Sequence, residues 1–164
     1  QMNGLAAQGK WRSELEKQFM SKHRTAAVNA QEDDEDSRFN REIAGAFMDW
    51  GYAWSDECWA RISDYVRLMK QAAESLNSEL FIVLFPVRQQ VESKILRDEP
   101  QQNFKRIMEE MGVKHLDLLP ALREKFQNDA FTIYYDHCHL KPEGNRFVGT
   151  EVAEFLAKQA AFKE

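Results

Sequence analysis

Six consecutive apolar residues, Leu80-Phe81-Ile82-Val83-Leu84-Phe85, run directly into Pro86 and constrain this chain more than any other segment. β-Branched and aromatic side chains without polar alternation read as a strand buried on both faces, the pattern of parallel sheets. The next strong signal is helical. In Gln101 to Met111, the residues Phe104, Ile107, Met108 and Met111 recur at helical spacing, and Gly112 follows as a stop. Val113-Lys114-His115-Leu116-Asp117-Leu118 then reads as a second, shorter strand. Strand, helix and strand in that order form a βαβ unit, which should cross over right-handed.

The flanking segments are helical. Ser55 is a good N-cap, with Asp56 and Glu57 in the first turn, for a helix whose stripe Trp59, Ile62, Val66, Met69, Ala73 and Leu76 reads as one buried face. Leu118 to Phe126 forms a short helix around Pro120. A final helix starts after Pro142 and carries Val148, Val152, Phe155, Leu156 and Gln159 along one side. Ahead of Ser55, Phe39 to Trp54 gives a short helix and a turn at Gly51, and Trp11, Leu15 and Phe19 mark one stripe of a helix within Gly9 to Val28. The expected fold is three-layered α/β. Such sheets have about five or six strands, and only two are evident here. Either a strand lies unrecognised near the N-terminus or the sheet is incomplete. The expected division falls at Ser55: 1–54 as a helical, lid-like or inserted segment with an acidic loop, 55–164 as part of the α/β domain.

Composition narrows the functional classes. Among 164 residues, 43% are apolar, with seven Gly and four Pro, which excludes collagen-like and wholly disordered chains. The net charge of −5 comes from one run, Glu32-Asp33-Asp34-Glu35-Asp36; outside it acids and bases balance at 22 each. The run and its flanks, Asn29 to Arg38, are expected to form a solvated loop, and no basic footprint for nucleic acid is present. Cys58 and Cys138 lie far apart without metal-ribbon or disulfide-scaffold spacing. The longest apolar stretch, Leu80 to Val87, has eight residues and includes a Pro, against roughly 20 for a membrane span. Gln1 precedes Met2, so the reading frame is expected to begin at Met2. Met2 to Ala7 has no charged leader pattern, and an export signal could lie further upstream.

The densest polar cluster is Tyr134-Tyr135-Asp136-His137-Cys138-His139-Leu140-Lys141-Pro142-Glu143-Gly144. It falls before the final helix, where α/β folds concentrate their sites. Asp136 and His139 stand three apart, a spacing that lets the carboxylate reach Nδ1 and leaves Nε2 as a general base. Three other uses of these residues stay open. Asp136 could cap the final helix; Asp136, His137, Cys138 and His139 could bind a metal, although adjacent side chains should diverge; and Cys138 could act as a nucleophile without a separate orienting partner.

Asp136-His137-Cys138-His139-Leu140-Lys141-Pro142-Glu143-Gly144-Asn145 resembles the last motif block of the SGNH hydrolases, the GDSL-type esterases. There an Asp-x-x-His-Leu-x-Pro-x-Gly-(His or Asn) segment opens the C-terminal helix. Phe81 to Pro86 and Val113 to Pro120 also resemble strands of that family, so the likeness runs from about Trp54 to Leu156. It implies a flavodoxin-like sheet, Asp136 as triad acid and His139 as general base, no cofactor, and an ester substrate such as an acetylated carbohydrate or a lipid.

The family's other blocks are absent. Ser13, Ser21, Ser37, Ser55, Ser63, Ser75, Ser78 and Ser93 are the serines, and none follows a Gly-Asp pair; nor is there a Gly-x-Asn-Asp segment for an oxyanion hole. The resemblance therefore implies the C-terminal half of such a hydrolase, nearly inactive alone. A non-enzymatic remnant, dimerising or taking up a complementing chain at an open sheet edge, is the competing expectation. A metal-binding protein is the third.

Overall fold

The computed structural model describes residues 34–161, together with Lys17 and Ser21 as isolated helical positions. The expected stripe Trp11, Leu15 and Phe19 lies outside the described residues, as do Glu32 and Asp33. The chain divides into two compact units, Gln1–Cys58 and Trp59–Glu164.

In the first unit, helix α1 spans Glu35–Gly45 and is followed by a 3-10 turn, Trp50–Trp54. The acidic run is thus not wholly a loop. Asp34 is the N-cap, its carboxylate accepting from the Ser37 N–H at 2.8 Å and the Ser37 hydroxyl at 3.3 Å. Glu35 and Asp36 occupy the first turn, where negative charge faces the positive end of the helix dipole; that attraction offsets the repulsion expected to keep the segment open. Phe39 packs edge-on against Trp54 at 5.6 Å and Trp50 at 6.4 Å. At Gly51 a Cβ would sit 2.2 Å from the Ile43 carbonyl oxygen, so the turn admits only glycine.

Helix α2 spans Asp56–Ser75, and the Ser55 hydroxyl accepts from the Cys58 N–H at 3.2 Å as its cap. Trp59 and Val66 are buried, but Met69 is 45% and Leu76 75% exposed, so the expected face is covered only in its first half. A 20-residue helix is about 30 Å long, whereas a four-residue strand spans about 13 Å. The helix therefore runs well past the length of either strand.

Strands β1 (Phe81–Leu84) and β2 (Lys114–Asp117) pair in parallel, with Phe81 opposite Lys114 and Leu84 opposite Asp117. Every residue of β1 is half-buried rather than enclosed on both faces. The cause is sheet size, since both strands are edges among the described residues. The protein is a mixed α/β structure with a two-stranded parallel sheet; the expected third layer and further strands are not among the described residues.

The crossover holds two helices where one was expected. After Pro86 comes α3, Arg88–Glu92, and then α4, Glu99–Met111, which ends at Gly112 in the left-handed conformation (φ 61°). Phe104, Ile107 and Met108 of α4 are buried as the periodicity requires. A buried glutamine pair holds α3 to α4. The Gln90 amide donates to the Arg97 carbonyl at 2.7 Å and to Gln101 Oε1 at 2.8 Å, and Gln101 donates back at 3.3 Å. In this water-poor site a paired amide stabilises where an unpaired one would cost about 1–3 kcal/mol.

At the end of β2, Asp117 Oδ1 accepts from the Leu119 N–H at 2.9 Å, starting α5, Leu119–Phe126. Burial raises the Asp117 carboxyl above its ordinary range, and the charge of Asp98 adds to this; the Leu119 N–H and His115 oppose it. A carboxyl raised by folding is most stabilising below its unfolded pKa and loses that contribution as pH rises through the folded value. Asp117→Asn keeps the acceptor and removes the desolvated charge. It is expected to raise the urea midpoint at pH 7 and to have no such effect below about pH 3, where the carboxyl is protonated in both states. Destabilisation at pH 7 would mean that the charge itself is required.

The core of this unit gathers Val91, Leu118, Leu119, Leu122, Ala130, Ile133, Tyr134 and Val148. Helix α6, Pro142–Ala161, closes it through Val148, while Phe155 meets Phe81 edge-on at 6.0 Å and Leu156 is exposed. No described helix is long and apolar enough to cross a membrane.

Candidate functional site

The chain leaving the carboxyl end of β1 is laced to the polar cluster ahead of α6. The Tyr134 hydroxyl donates to the Pro86 carbonyl at 2.8 Å, and the Arg88 N–H donates to the His137 carbonyl at 2.8 Å. The Arg88 guanidinium also lies 4.3 Å from the centre of the Phe131 ring. Burial pushes the Tyr134 phenol well above its ordinary pKa, so it remains a hydrogen donor. The cluster therefore stands just beyond the carboxyl end of a parallel strand, the side on which open α/β sheets place their ligands.

The loop itself is pinched shut. Tyr134 and Leu140 form an antiparallel bridge, the Tyr135 N–H donates to the His139 carbonyl at 2.8 Å, and the Lys141 N–H donates to the Ile133 carbonyl at 2.8 Å. A 3-10 turn, Ala130–Thr132, leads in, and the Lys141 ammonium donates to the Phe131 carbonyl. Leading out, the first turn of α6 lies hard against the loop. A Cβ on Gly144 would come within 2.7 Å of the Ile133 carbonyl oxygen and 3.1 Å of Leu140 Cδ2, so a side chain there would displace backbone.

Inside this frame the carboxylate of Asp136 is fully engaged. Its Oδ1 accepts from the N–H groups of Cys138 at 2.9 Å and His139 at 2.8 Å, and its Oδ2 lies 2.7 Å from His139 Nδ1. The Cys138 N–H, the His139 N–H and the His139 ring, in that order, hold the Asp136 carboxyl far below the ordinary carboxylate range. It is an anion throughout the neutral range. An anion on Nδ1 selects the tautomer that is protonated there, which leaves Nε2 as the basic nitrogen. The imidazole side chain is 74% exposed and the carboxylate side chain 48%, so both are open to a reactant.

This geometry separates the uses that spacing left open. Asp136 does not cap the final helix, which begins six residues later at Pro142. Cys138 Sγ lies 3.6 Å from His139 Nδ1, the nitrogen already held by Asp136. A nucleophile served by this base would have to face Nε2. Among the described residues, five serine hydroxyls bond to local structure: Ser37 and Ser55 at helix starts, Ser75 to the Ala72 carbonyl, Ser78 to the Leu76 carbonyl and Ser93 to the Ile95 N–H. The loop's curvature also brings adjacent donors together rather than apart. One ligand atom from each of Asp136, His137 and Cys138 lies within 4.8 Å of the other two.

Tyr134, Pro86 and Arg88 position the loop and were not marked by spacing alone. The local signals were that Pro86 ends the strong strand and that Tyr134 opens the polar cluster; neither shows that the two are bonded. Comparison with known proteins finds no matching family model, no similar curated protein and no similar solved structure.

Proposed function

We propose that Asp136 and His139 are the acid and base of a serine ester hydrolase of the SGNH type, whose nucleophile and oxyanion donors are not among these 164 residues. The observation that carries this reading is the locked carboxylate–imidazole pair at 2.7 Å, beside the carboxyl end of β1. Asp136 orients the ring and stabilises the imidazolium; His139 Nε2 takes the proton of a serine hydroxyl as it attacks the ester carbonyl, then returns it to the departing alcohol. Water attacks the acyl-enzyme by the same exchange. Esters of acetylated carbohydrates or of lipids are the proposed substrates.

The half-buried faces and open edges of β1 and β2 support a wider, three-layered sheet to which further strands would add. The nucleophile-bearing segment would arrive with them. The same open edges favour a second reading, in which the fold serves as a dimerisation or strand-accepting module; sedimentation showing a strict monomer would count against that.

Hydrolysis of an aryl acetate tests the first reading. The protein translated from the whole reading frame containing these residues should turn it over, and the 164-residue chain should be close to inactive. Activity of the short chain that survives His139→Ala would overturn the assignment.

A further inference from the structure

The loop that holds Asp136 and His139 also presents a mixed donor set. A carboxylate oxygen of Asp136, a ring nitrogen of His137 and Cys138 Sγ all lie within 4.8 Å of one another. In a tetrahedral zinc site with bonds of about 2.0–2.3 Å, neighbouring ligands are roughly 3.3–3.8 Å apart. The three donors are thus close enough to be drawn onto one ion by side-chain rotation alone. Two contacts fix the backbone that carries them. Asp136 Oδ1 accepts from the Cys138 N–H, and the His137 carbonyl accepts from the Arg88 N–H. Cys138 is exposed and outside any disulfide, and His137 is half-buried.

We propose that Asp136, His137 and Cys138 form a surface site for a borderline-soft divalent cation, with zinc as the best fit and water in the fourth position. A thiolate, an imidazole and a single carboxylate suit zinc or cobalt and disfavour calcium and magnesium, which need several oxygen ligands. Binding forms the metal–sulfur bond as the Cys138 thiol loses its proton to solvent, and no electrons move. The bound cation competes with His139 Nδ1 for the Asp136 carboxylate, so occupancy loosens the carboxylate–imidazole pair. That this would inhibit ester hydrolysis rests on the function proposed above; the binding itself does not.

Cobalt(II) titration of the 164-residue chain tests the site by absorption. A thiolate-to-cobalt charge-transfer band should grow to saturation at one equivalent and disappear when zinc is added. Cys58→Ser should leave it unchanged, and both Cys138→Ser and Cys138→Ala should abolish it. His137→Ala and Asp136→Asn should each weaken binding at least tenfold, with far-ultraviolet circular dichroism confirming that each variant is folded. No band at one equivalent, a band persisting in the Cys138 variants, or wild-type affinity in either of the other two overturns this ligand set. Because the readout is the metal spectrum, its failure leaves the hydrolase reading standing, and loss of that reading leaves the metal-binding result unchanged.

Discussion

Asp136→Asn is expected to lower the turnover of an aryl acetate by about 10³–10⁴-fold in the protein from the whole reading frame. The amide cannot supply the charge that His139 needs when Nε2 accepts a proton. It also turns one oxygen acceptor into a donor, so either the Cys138 and His139 N–H groups or the His139 ring loses its partner. The ring is then free to adopt the wrong tautomer. His139→Ala should cost at least as much. The double variant should be little worse than the single ones, because groups acting as one unit lose their effect together. KM should change little, since neither side chain is expected to bind the substrate's ground state. Equal and independent losses from the two substitutions would mean that the pair does not work as a unit.

The second large effect is on stability. Tyr134 is among the most completely buried side chains and joins the core around Ile133 and Leu122 to the exit of β1. Tyr134→Ala removes a full ring and its contacts, for which about 3–5 kcal/mol of destabilisation is expected. Tyr134→Phe keeps the packing but strips the donor from the buried Pro86 carbonyl, an expected cost of about 1–3 kcal/mol. Urea unfolding separates the two, because both should lower the midpoint without altering the slope. A neutral Tyr134→Phe would show that water replaces the hydroxyl and that the loop is not held to β1 through this bond.

Local signals in the chain were legible and non-local ones were not. β1, β2, α4 and the left-handed Gly112 follow from periodicity and stop residues that act within a few positions. So does the reach of Asp136 to His139, since three residues in a tight turn bring the two groups together whatever surrounds them. Coverage is different. Periodicity located the apolar stripe of α2, but whether Met69 and Leu76 are covered depends on what packs over them, which no local pattern carries. The five-residue α3 is too short for a periodic signal, and its anchor, the Gln90–Gln101 pair, is polar and would be read as surface. The Tyr134–Pro86 bond joins positions 48 apart, a distance at which pattern carries no information. The acidic run turned on a competition between like-charge repulsion and the helix dipole, and the cap formed by Asp34 decided it.

The most direct test is the rate and place of labelling by a serine-directed phosphonate in the protein from the whole reading frame. One equivalent is expected on a single serine within a Gly-Asp-Ser-like segment outside these 164 residues, with labelling slowed at least a hundredfold in His139→Ala. Labelling that is absent, falls on Cys138, or proceeds at the same rate without His139 would contradict it.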